Sequence, residues 1–489
     1  MQELKSKARS ALVWNSINQF GKFGFRFIIT VVLARLLSPN DFGLIAMILV
    51  FTSISDLIID GGFKIGIVQR KDLDDIELSS VFYLNILIGV LCALITYAVA
   101  PLLSSIYGIY QLEELTKGIS VLYIFNSFSI VPQGLLMREM EFKKITVTII
   151  GAQLIAGIVA ITSAMYGFGV WSLILNYLIE GFCLAILFWL QIKWKPKIQF
   201  SFGSIRNILN FSYKLLVVNI LAVIVNKVDL FFIGKFFNST TVGLYSKGKD
   251  FSLLPSVIGV SIINSSFFPI FSRLQDNHNQ FNSTYLRLYN ISMFVAMPLS
   301  GILFLISSQL VSILLGPNWI ESIVFFKWST IISAFYIANG FMNYIINAKG
   351  RSDLNLKKTI FQLPFRILIV IMIPVVFSNF SPIYYIIVYV IFFFVENLLN
   401  TFFISKISLI PFGRIFIIWI YYFFIVAGLV ILFSTLTISS YIKNLYVQVI
   451  IVSLVFALCY LIILKLLGNN LLKVGQKIIL RSISRANCK

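Results

Sequence analysis

Residues 11–47 read ALVWNSINQFGKFGFRFIITVVLARLLSPNDFGLIAM, and this stretch decides the fold. Its first half is an apolar run interrupted by single polar residues. Its second half becomes apolar again after a break at Ser38-Pro39-Asn40. Ser, Pro and Asn together are typical of a turn that ends one helix and begins the next. The stretch therefore predicts two membrane-spanning helices joined by a tight turn.

The same apolar pattern continues through all 489 residues, of which 59% are hydrophobic and only 12% are charged. This composition excludes an ordinary soluble enzyme and a disordered chain. A transmembrane helix needs about 20 mostly apolar residues, so the sequence predicts an all-α polytopic membrane protein with about fourteen spans. We place them near residues 11–37, 42–68, 79–104, 115–137, 144–166, 169–192, 209–236, 241–271, 284–314, 320–346, 356–378, 383–407, 414–436 and 443–467.

Basic residues are distributed unevenly between alternate loops. With a cytoplasmic N-terminus, the cytoplasmic segments hold 28 of the 39 Lys and Arg residues, and the opposite loops hold four. This positive-inside bias predicts cytoplasmic N- and C-termini and an even number of helices. It also explains most of the net charge of +20 through contact with anionic membrane lipid, without nucleic acid as a partner.

A faint internal repeat divides the chain. Residues 34–46 align with 234–246 at an offset of 200, and Gly43-Leu44 matches Gly243-Leu244. A repeat with an even number of helices predicts two halves related by a pseudo-two-fold axis along the membrane normal. The predicted parts are an N-terminal six-helix lobe (1–192), a basic cytoplasmic linker (193–208), a C-terminal six-helix lobe (209–407), an extra transmembrane helix pair (408–467) and a basic cytoplasmic tail (468–489).

The first helix carries a polar strip. Asn18, Lys22 and Arg26 follow one another at steps of four, which places them on one face. Charges inside a span are costly and usually face a bundle interior or a wet cavity. Two interpretations remain open: the strip binds an anion such as phosphate between the lobes, or it is a neutralised structural network whose cations reach the nearer surface.

Lysines on the first two helices of the C-terminal lobe are further candidates for substrate binding. They are Lys227, Lys247 and Lys249. Lys247 is three residues before Asp250, a spacing that predicts a partial ion pair. Together with the first helix, these lysines make the predicted seam between the lobes net basic.

Two carboxylates of the second predicted helix are candidates for ion coupling. Asp56 and Asp60 share one face, and two carboxylates in an apolar setting are suited to carrying a proton. Asp60 also lies four residues before Lys64, which is a favourable ion-pair spacing. The alternative interpretation is that both carboxylates pair with Lys22 or Arg26 across helices.

Asp229 and Asp250 complete the set of ion-coupling candidates. Lys227 and Asp229 are two residues apart and face different directions, so each needs another partner. Asn226 and Asp229 share a face, and their oxygen atoms would suit a cation such as sodium. The four cysteines and the single His278 show no metal-ligand spacing, so the sequence predicts neither a metal site nor a bound cofactor.

Three segments resemble the Wzx-type polysaccharide flippases of the multidrug/oligosaccharidyl-lipid/polysaccharide exporter superfamily. They are residues 11–47 with the L-S-P-x-D-F-G-L element at Leu37–Leu44, DGGFKIGIVQR at 60–70, and PQGLLMREMEFKKI at 132–145. The most similar branch is that of the WzxC-like lipopolysaccharide and exopolysaccharide exporters.

The resemblance implies a transporter of the bacterial cytoplasmic (inner) membrane and not an enzyme. Its substrate would be an undecaprenyl-diphosphate-linked oligosaccharide, moved between leaflets by alternating access and driven by a proton or sodium gradient. Lys22, Arg26 and Lys227 would contact the diphosphate. A glycan polymerase and glycosyltransferases are the protein partners that the resemblance suggests.

Two alternatives belong to the same superfamily. A flippase for the peptidoglycan lipid precursor shares the architecture. A cation-coupled drug antiporter would favour an acidic cavity and twelve helices, whereas this seam is net basic and fourteen spans are predicted. A membrane glycan polymerase or ligase is a third class, but such proteins need a long periplasmic loop, and the sequence predicts none.

Overall fold

The computed structural model describes residues 2–70, 73–274, 278–348, 357, 360–368, 371–372, 381–408, 410–436 and 444–468. No β-strand occurs among these residues, and the all-α prediction is confirmed. The helices are α1 (Gln2–Leu36), α2 (Pro39–Asp60), α3 (Phe63–Gln69), α4 (Asp75–Tyr107), α5 (Gln111–Ser120), α6 (Leu122–Arg138), α7 (Phe142–Met165), α8 (Trp171–Gln191), α9 (Phe202–Phe236), α10 (Ser239–Leu274), α11 (His278–Leu305), α12 (Ser307–Leu314), α13 (Ser322–Ala348), α14 (Pro382–Ser408), α15 (Phe412–Thr435) and α16 (Leu445–Leu466). Residues 360–368 are also helical.

Within the described residues, eleven segments are long and apolar enough to cross a membrane. They coincide with eleven of the spans predicted from the sequence. Two further predicted spans correspond to α9 and α10, which form long helices that carry several charged side chains. The remaining span, 356–378, lies partly outside the described residues. The chain is a multi-span membrane protein, and the exact count of fourteen stays a prediction.

The surface of α16 shows how the helices face lipid. Leu454, Leu458 and Ile462 are each more than half exposed, whereas Phe456 and Leu464 on another face are buried. Hydrocarbon tails are as apolar as leucine, so a stripe of this kind is stable in a bilayer but would be a liability in water. The exposed apolar side chains therefore agree with the membrane location predicted from composition.

The turn between α1 and α2 is built from local contacts. The Ser38 backbone N–H donates to the Asp41 carboxylate at 2.9 Å, and the Ser38 hydroxyl oxygen accepts a bond from the Asp41 backbone N–H at 3.3 Å. Pro39 occupies the first turn of α2, where its missing N–H leaves no donor unsatisfied. This capping box starts α2 with residues that are adjacent in the sequence.

The sequence repeat is also visible in the helix boundaries. The two helices α1 and α9 end at Leu36 and Phe236. The helices that follow them, α2 and α10, begin at Pro39 and Ser239. Each pair of boundaries differs by the 200 positions predicted from the aligned sequences.

The starts of α2 and α10 pack directly against each other. A Cβ atom built on Gly43 would lie 1.6 Å from the Ser239 carbonyl oxygen, and one on Gly243 would lie 1.9 Å from the Pro39 carbonyl oxygen. The contact is symmetric, because Gly43 and Pro39 are the repeat equivalents of Gly243 and Ser239. The Asn40 and Ser239 side chains also hydrogen-bond there. Small residues of this kind let helix backbones approach closely.

The chain separates into two compact units. The first contains Met1–Ser246 and Thr359–Pro382, and the second contains Lys247–Lys358 and Ile383–Lys489. These units do not follow the predicted six-helix lobes, because α9 groups with the first unit. The division into lobes stays a prediction, and the predicted tail beyond residue 468 lies outside the described residues.

The segment that precedes α9 is attached to the start of α4. The Lys197 ammonium lies 2.7 Å from the Asp75 carboxylate, and the Lys197 backbone N–H donates to the Ser79 hydroxyl oxygen at 2.9 Å. Helix α9 already begins at Phe202, so the non-helical connection is shorter than the linker predicted at 193–208. The difference arises because the helix continues beyond its apolar part.

In the second unit, hydroxyl groups join the C-terminal helices to α11. The Tyr422 hydroxyl, on α15, donates to Asn290 Oδ1 at 2.7 Å, and the Tyr460 hydroxyl, on α16, donates to the Phe294 carbonyl at 3.0 Å. Hydrogen bonds between helices stabilise packing in a membrane, where apolar burial gives little driving force. The two helices of the predicted extra pair thus both contact α11.

Candidate functional site

The polar strip of α1 remains accessible within the first unit. Lys22 and Arg26 are exposed, and Asn18 is half-buried. The close contact of α1 with α7 is made by other positions, such as Ile29 against Gly157. The two cations are therefore available to a ligand, as the substrate-binding interpretation requires.

Arg26 belongs to a network that joins α1, α8 and α7. Its Nη2 atom lies 3.9 Å from Glu180 Oε2, and Gln153 Nε2 donates to Glu180 Oε1 at 3.3 Å. Lys22 lies within electrostatic range of Arg26, Glu180 and Lys64. The Arg26 side chain is still 51% exposed, so its ion pair with Glu180 leaves the guanidinium accessible.

Asp56 and Asp60 have separate partners. Asn126 Nδ2, on α6, donates to Asp56 Oδ1 at 2.9 Å. The Lys64 ammonium lies 3.0 Å from Asp60 Oδ1, which confirms the ion pair predicted from their spacing. Among the described contacts, the cations of α1 are not the direct partners of either carboxylate. The interpretation in which these carboxylates neutralise the α1 strip stays a prediction.

These side chains form one site, which we call the charged cluster. It consists of Lys22, Arg26, Lys64, Asp56, Asp60 and Glu180, supported by the amides of Asn126 and Gln153. It contains three cations and three carboxylates, and it does not include the lysines of α9 and α10 that the sequence also assigns to the basic seam. Cations of this kind bind phosphate, and carboxylates and amides bind sugar hydroxyl groups.

The candidates on α9 lie in different environments. Asp229 is only 1% exposed, and its Oδ2 atom accepts a hydrogen bond from the Tyr245 hydroxyl at 2.5 Å. Lys227 is half-buried and Asn226 is exposed. With Asn226 exposed and Asp229 buried, a sodium site formed by these two residues stays a prediction.

The candidates on α10 make local contacts in the second unit. Lys247 Nζ lies 3.8 Å from Asp250 Oδ2, as their spacing predicts. The Asp250 side chain is 64% exposed, so this ion pair contributes little stability. The Lys249 ammonium lies 4.9 Å from the centroid of the Tyr389 ring, a cation–π distance. Roles for these residues in substrate binding or ion coupling stay predictions.

Buried amides on α13 and α14 form a contact that sequence reasoning missed. Asn339 Oδ1 accepts hydrogen bonds from Asn400 Nδ2 at 2.8 Å and from Asn397 Nδ2 at 3.3 Å, and all three residues are buried. Two amides three residues apart in an apolar span were the available indication, since polar residues in spans tend to face other helices. Asn126 and Gln153 of the charged cluster have no second amide three or four residues away, so the sequence did not single them out.

Known proteins share both sequence and fold with this chain. Residues 32–324 match the family described as polysaccharide biosynthesis protein. The lipopolysaccharide biosynthesis protein WzxC of Escherichia coli strain K12 is 23% identical over 366 residues, which cover 73% of each chain. The teichuronic acid biosynthesis protein TuaB of Bacillus subtilis strain 168 is 23% identical over 366 residues, which cover 72% of this chain and 74% of its own.

Two solved structures show the same architecture. The lipid II flippase MurJ in an inward closed conformation aligns with a TM-score of 0.75 and 15% identity, covering 94% of this chain and 99% of its own. An inward-facing multidrug resistance MATE family transporter aligns with a TM-score of 0.61 and 14% identity, covering 81% of this chain and 98% of its own. At these identities the likeness shows the fold alone. The family match, however, extends over more than half of the sequence and includes the Leu37–Leu44 element, and on that ground the chain belongs to the polysaccharide biosynthesis protein family.

Proposed function

We propose that the chain is a flippase that moves an undecaprenyl-diphosphate-linked oligosaccharide across the bacterial inner membrane. The family supports this proposal, because its relatives are named for lipopolysaccharide and teichuronic acid biosynthesis. The fold supports it as well, since a lipid II flippase has the same architecture. In this role the chain transports its substrate without converting it chemically.

The charged cluster is the observation that carries the proposal. It places accessible Lys22 and Arg26 side chains on a helical unit that also exposes many large apolar side chains. Charges are kept within a membrane protein where they serve a polar cavity or a ligand. The cations would hold the diphosphate through charge-assisted hydrogen bonds. Carboxylates and amides would bind the sugar, and the lipid chain would stay against the apolar exterior.

Alternating access would carry the bound head group from the cytoplasmic to the periplasmic side. The distribution of Lys and Arg supports cytoplasmic N- and C-termini. Loading from the cytoplasmic leaflet would follow synthesis of the lipid-linked glycan by glycosyltransferases. A glycan polymerase would then use the product on the periplasmic side, and contact with either kind of enzyme is part of the proposal.

Asp56 is the carboxylate whose loss should abolish coupling to an ion gradient. Its described partner is the neutral Asn126 amide, whereas Asp60 is already neutralised by the Lys64 ammonium. A transported proton or sodium ion would therefore neutralise Asp56. In proteoliposomes, Asp56→Asn should remove most of the stimulation of transport by an imposed gradient, and Asp60→Asn is the matched control that should keep it. Full gradient stimulation in Asp56→Asn would exclude Asp56 as the ion carrier.

A leaflet-crossing assay tests the proposed function. Purified protein would be placed in liposomes with undecaprenyl-diphosphate oligosaccharide in one leaflet, and its appearance in the other would be followed with and without a proton or sodium gradient. Protein-dependent crossing that a gradient accelerates supports the flippase. A flippase for peptidoglycan precursors would instead accept lipid II and reject the oligosaccharide.

A cation-coupled drug antiporter is the second candidate. The MATE-like fold and the three carboxylates of the charged cluster favour it, because carboxylates bind cationic drugs. In the same liposomes, this candidate predicts gradient-driven uptake of a sugar-free cationic dye and no movement of the lipid-linked glycan. That result would overturn the flippase proposal.

A further inference from the structure

The helical segment 360–368 places polar side chains inside the first unit and apolar ones outside. Gln362 and Arg366, four residues apart, are 8% and 3% exposed. Phe361, Phe365 and Leu368 are each at least half exposed. A buried arginine in a membrane protein needs both hydrogen bonds and a counter-charge, because burying an uncompensated charge is strongly unfavourable.

Arg366 contacts α9 at the turn that carries Asp229. Its Nη1 atom donates to the Val225 carbonyl oxygen at 3.0 Å. Helix geometry pairs this same carbonyl with the Asp229 backbone N–H, four residues further on. Helical side chains lean toward the N-terminus, so the Asp229 side chain leans back over the turn of Val225. The Arg366 guanidinium therefore docks on the same turn of α9 that carries the Asp229 carboxylate.

We propose that Arg366 is a positioning residue that supplies the built-in counter-charge of Asp229 and holds α9 against segment 360–368. Asp229 is buried, and the Tyr245 hydroxyl satisfies one of its oxygen atoms without compensating its charge. The guanidinium provides that compensation through the low-dielectric interior, where charges interact over longer distances than in water.

This pair assigns Asp229 a structural role in place of the sodium site considered from the sequence. Because the Arg366 guanidinium is a permanent positive charge beside Asp229, the carboxylate does not need a bound sodium ion to compensate its charge. Ion coupling, which rests on the proposed flippase function, would then depend on carboxylates of the charged cluster such as Asp56. The charge pair itself does not depend on the transported substrate.

A double-mutant cycle on the full-length protein in detergent tests the pair. Removing one member of a buried charge pair leaves the other uncompensated, so Arg366→Gln and Asp229→Asn should each lower Tm by roughly 5–10 °C. The Arg366→Gln/Asp229→Asn double variant removes both charges with little change in volume. It should return to within about 2 °C of the unsubstituted protein. Arg366→Lys, which keeps the charge, should lose less than Arg366→Gln.

Tyr245→Phe is the matched control, because it removes a hydrogen bond of Asp229 but no charge. Combining Tyr245→Phe with Arg366→Gln should not restore the Tm that Arg366→Gln lowers, whereas combining Asp229→Asn with Arg366→Gln should restore it. Additive losses for Arg366→Gln and Asp229→Asn would overturn the proposal. If either single variant yields no folded protein, recovery of folded protein in the double variant supports the pair, and failure to recover overturns it.

Transport measurements separate this proposal from the proposed function. If the chain is a flippase, the double variant should transport far better than either single variant. If the unsubstituted protein does not transport the glycan either, the proposed function fails. The Tm values of the single and double variants still show whether Arg366 and Asp229 form a charge pair.

Discussion

Replacing Gly243 or Gly43 with alanine is expected to abolish the packing between α2 and α10 and to remove most folded protein. The new methyl carbon would lie 1.9 Å from the Pro39 carbonyl oxygen in one case and 1.6 Å from the Ser239 carbonyl oxygen in the other. A Cβ atom essentially never lies within 3.0 Å of a carbonyl oxygen, so the helix starts would have to separate by more than 1 Å. The obstacle is backbone, which cannot rotate away as a side chain can.

The effect should exceed that of an ordinary core substitution, because overpacking typically costs about 1–3 kcal/mol even where side chains can move. The measurement is the fraction of protein that remains monodisperse after extraction into detergent, followed by its Tm. Gly24→Ala and Gly151→Ala are matched controls, since a Cβ on either glycine meets no atom within 4 Å. Both are helical, so alanine should leave them unchanged or slightly more stable. Equal stability of Gly43→Ala and Gly24→Ala would show that the two helix starts do not pack as described.

Arg26→Ala is expected to lower glycan transport by about 10- to 100-fold, with little loss of folded protein. A hydrogen bond between charged groups is worth about 1.5–3 kcal/mol, and about 1.4 kcal/mol corresponds to a factor of ten. Arg26 is half exposed and its ion pair with Glu180 is 3.9 Å long, so the fold depends on it only weakly. Arg26→Lys should retain part of the activity, because it keeps the charge but loses the planar pair of donors.

Lys144→Ala provides the control for this prediction. Lys144 also forms a long ion pair, 3.8 Å from Glu141, and both side chains are about 40% exposed. Its loss removes one positive charge outside the charged cluster and should leave transport unchanged. Initial rates of leaflet crossing in liposomes, normalised to folded protein, provide the comparison. Normal rates for both Arg26→Ala and Lys22→Ala would exclude the charged cluster as the diphosphate site.

Much of the fold could be predicted from the sequence because its causes are local. Apolar length predicts a span, and the Ser38-Pro39 break predicts the turn, since the capping box uses only neighbouring residues. The repeat could be detected because Gly43 and Gly243 keep equivalent places after equivalent helices. The ion pairs of Asp60 with Lys64 and of Lys247 with Asp250 were predictable for the same reason, as each lies within one turn.

Partners that are distant in sequence could not be predicted in this way. In a membrane protein both the core and the lipid-facing surface are apolar, so hydrophobic periodicity does not reveal which face of a helix is buried. Only the rotation and packing of whole helices bring Glu180 to Arg26 and Asn126 to Asp56, and bury Asp229 while Asn226 stays exposed. The sequence by itself therefore determined the class of protein, most of its spans and the candidate charges. The tertiary structure decided which charges meet, because those contacts depend on the relative orientation of helices that are far apart along the chain.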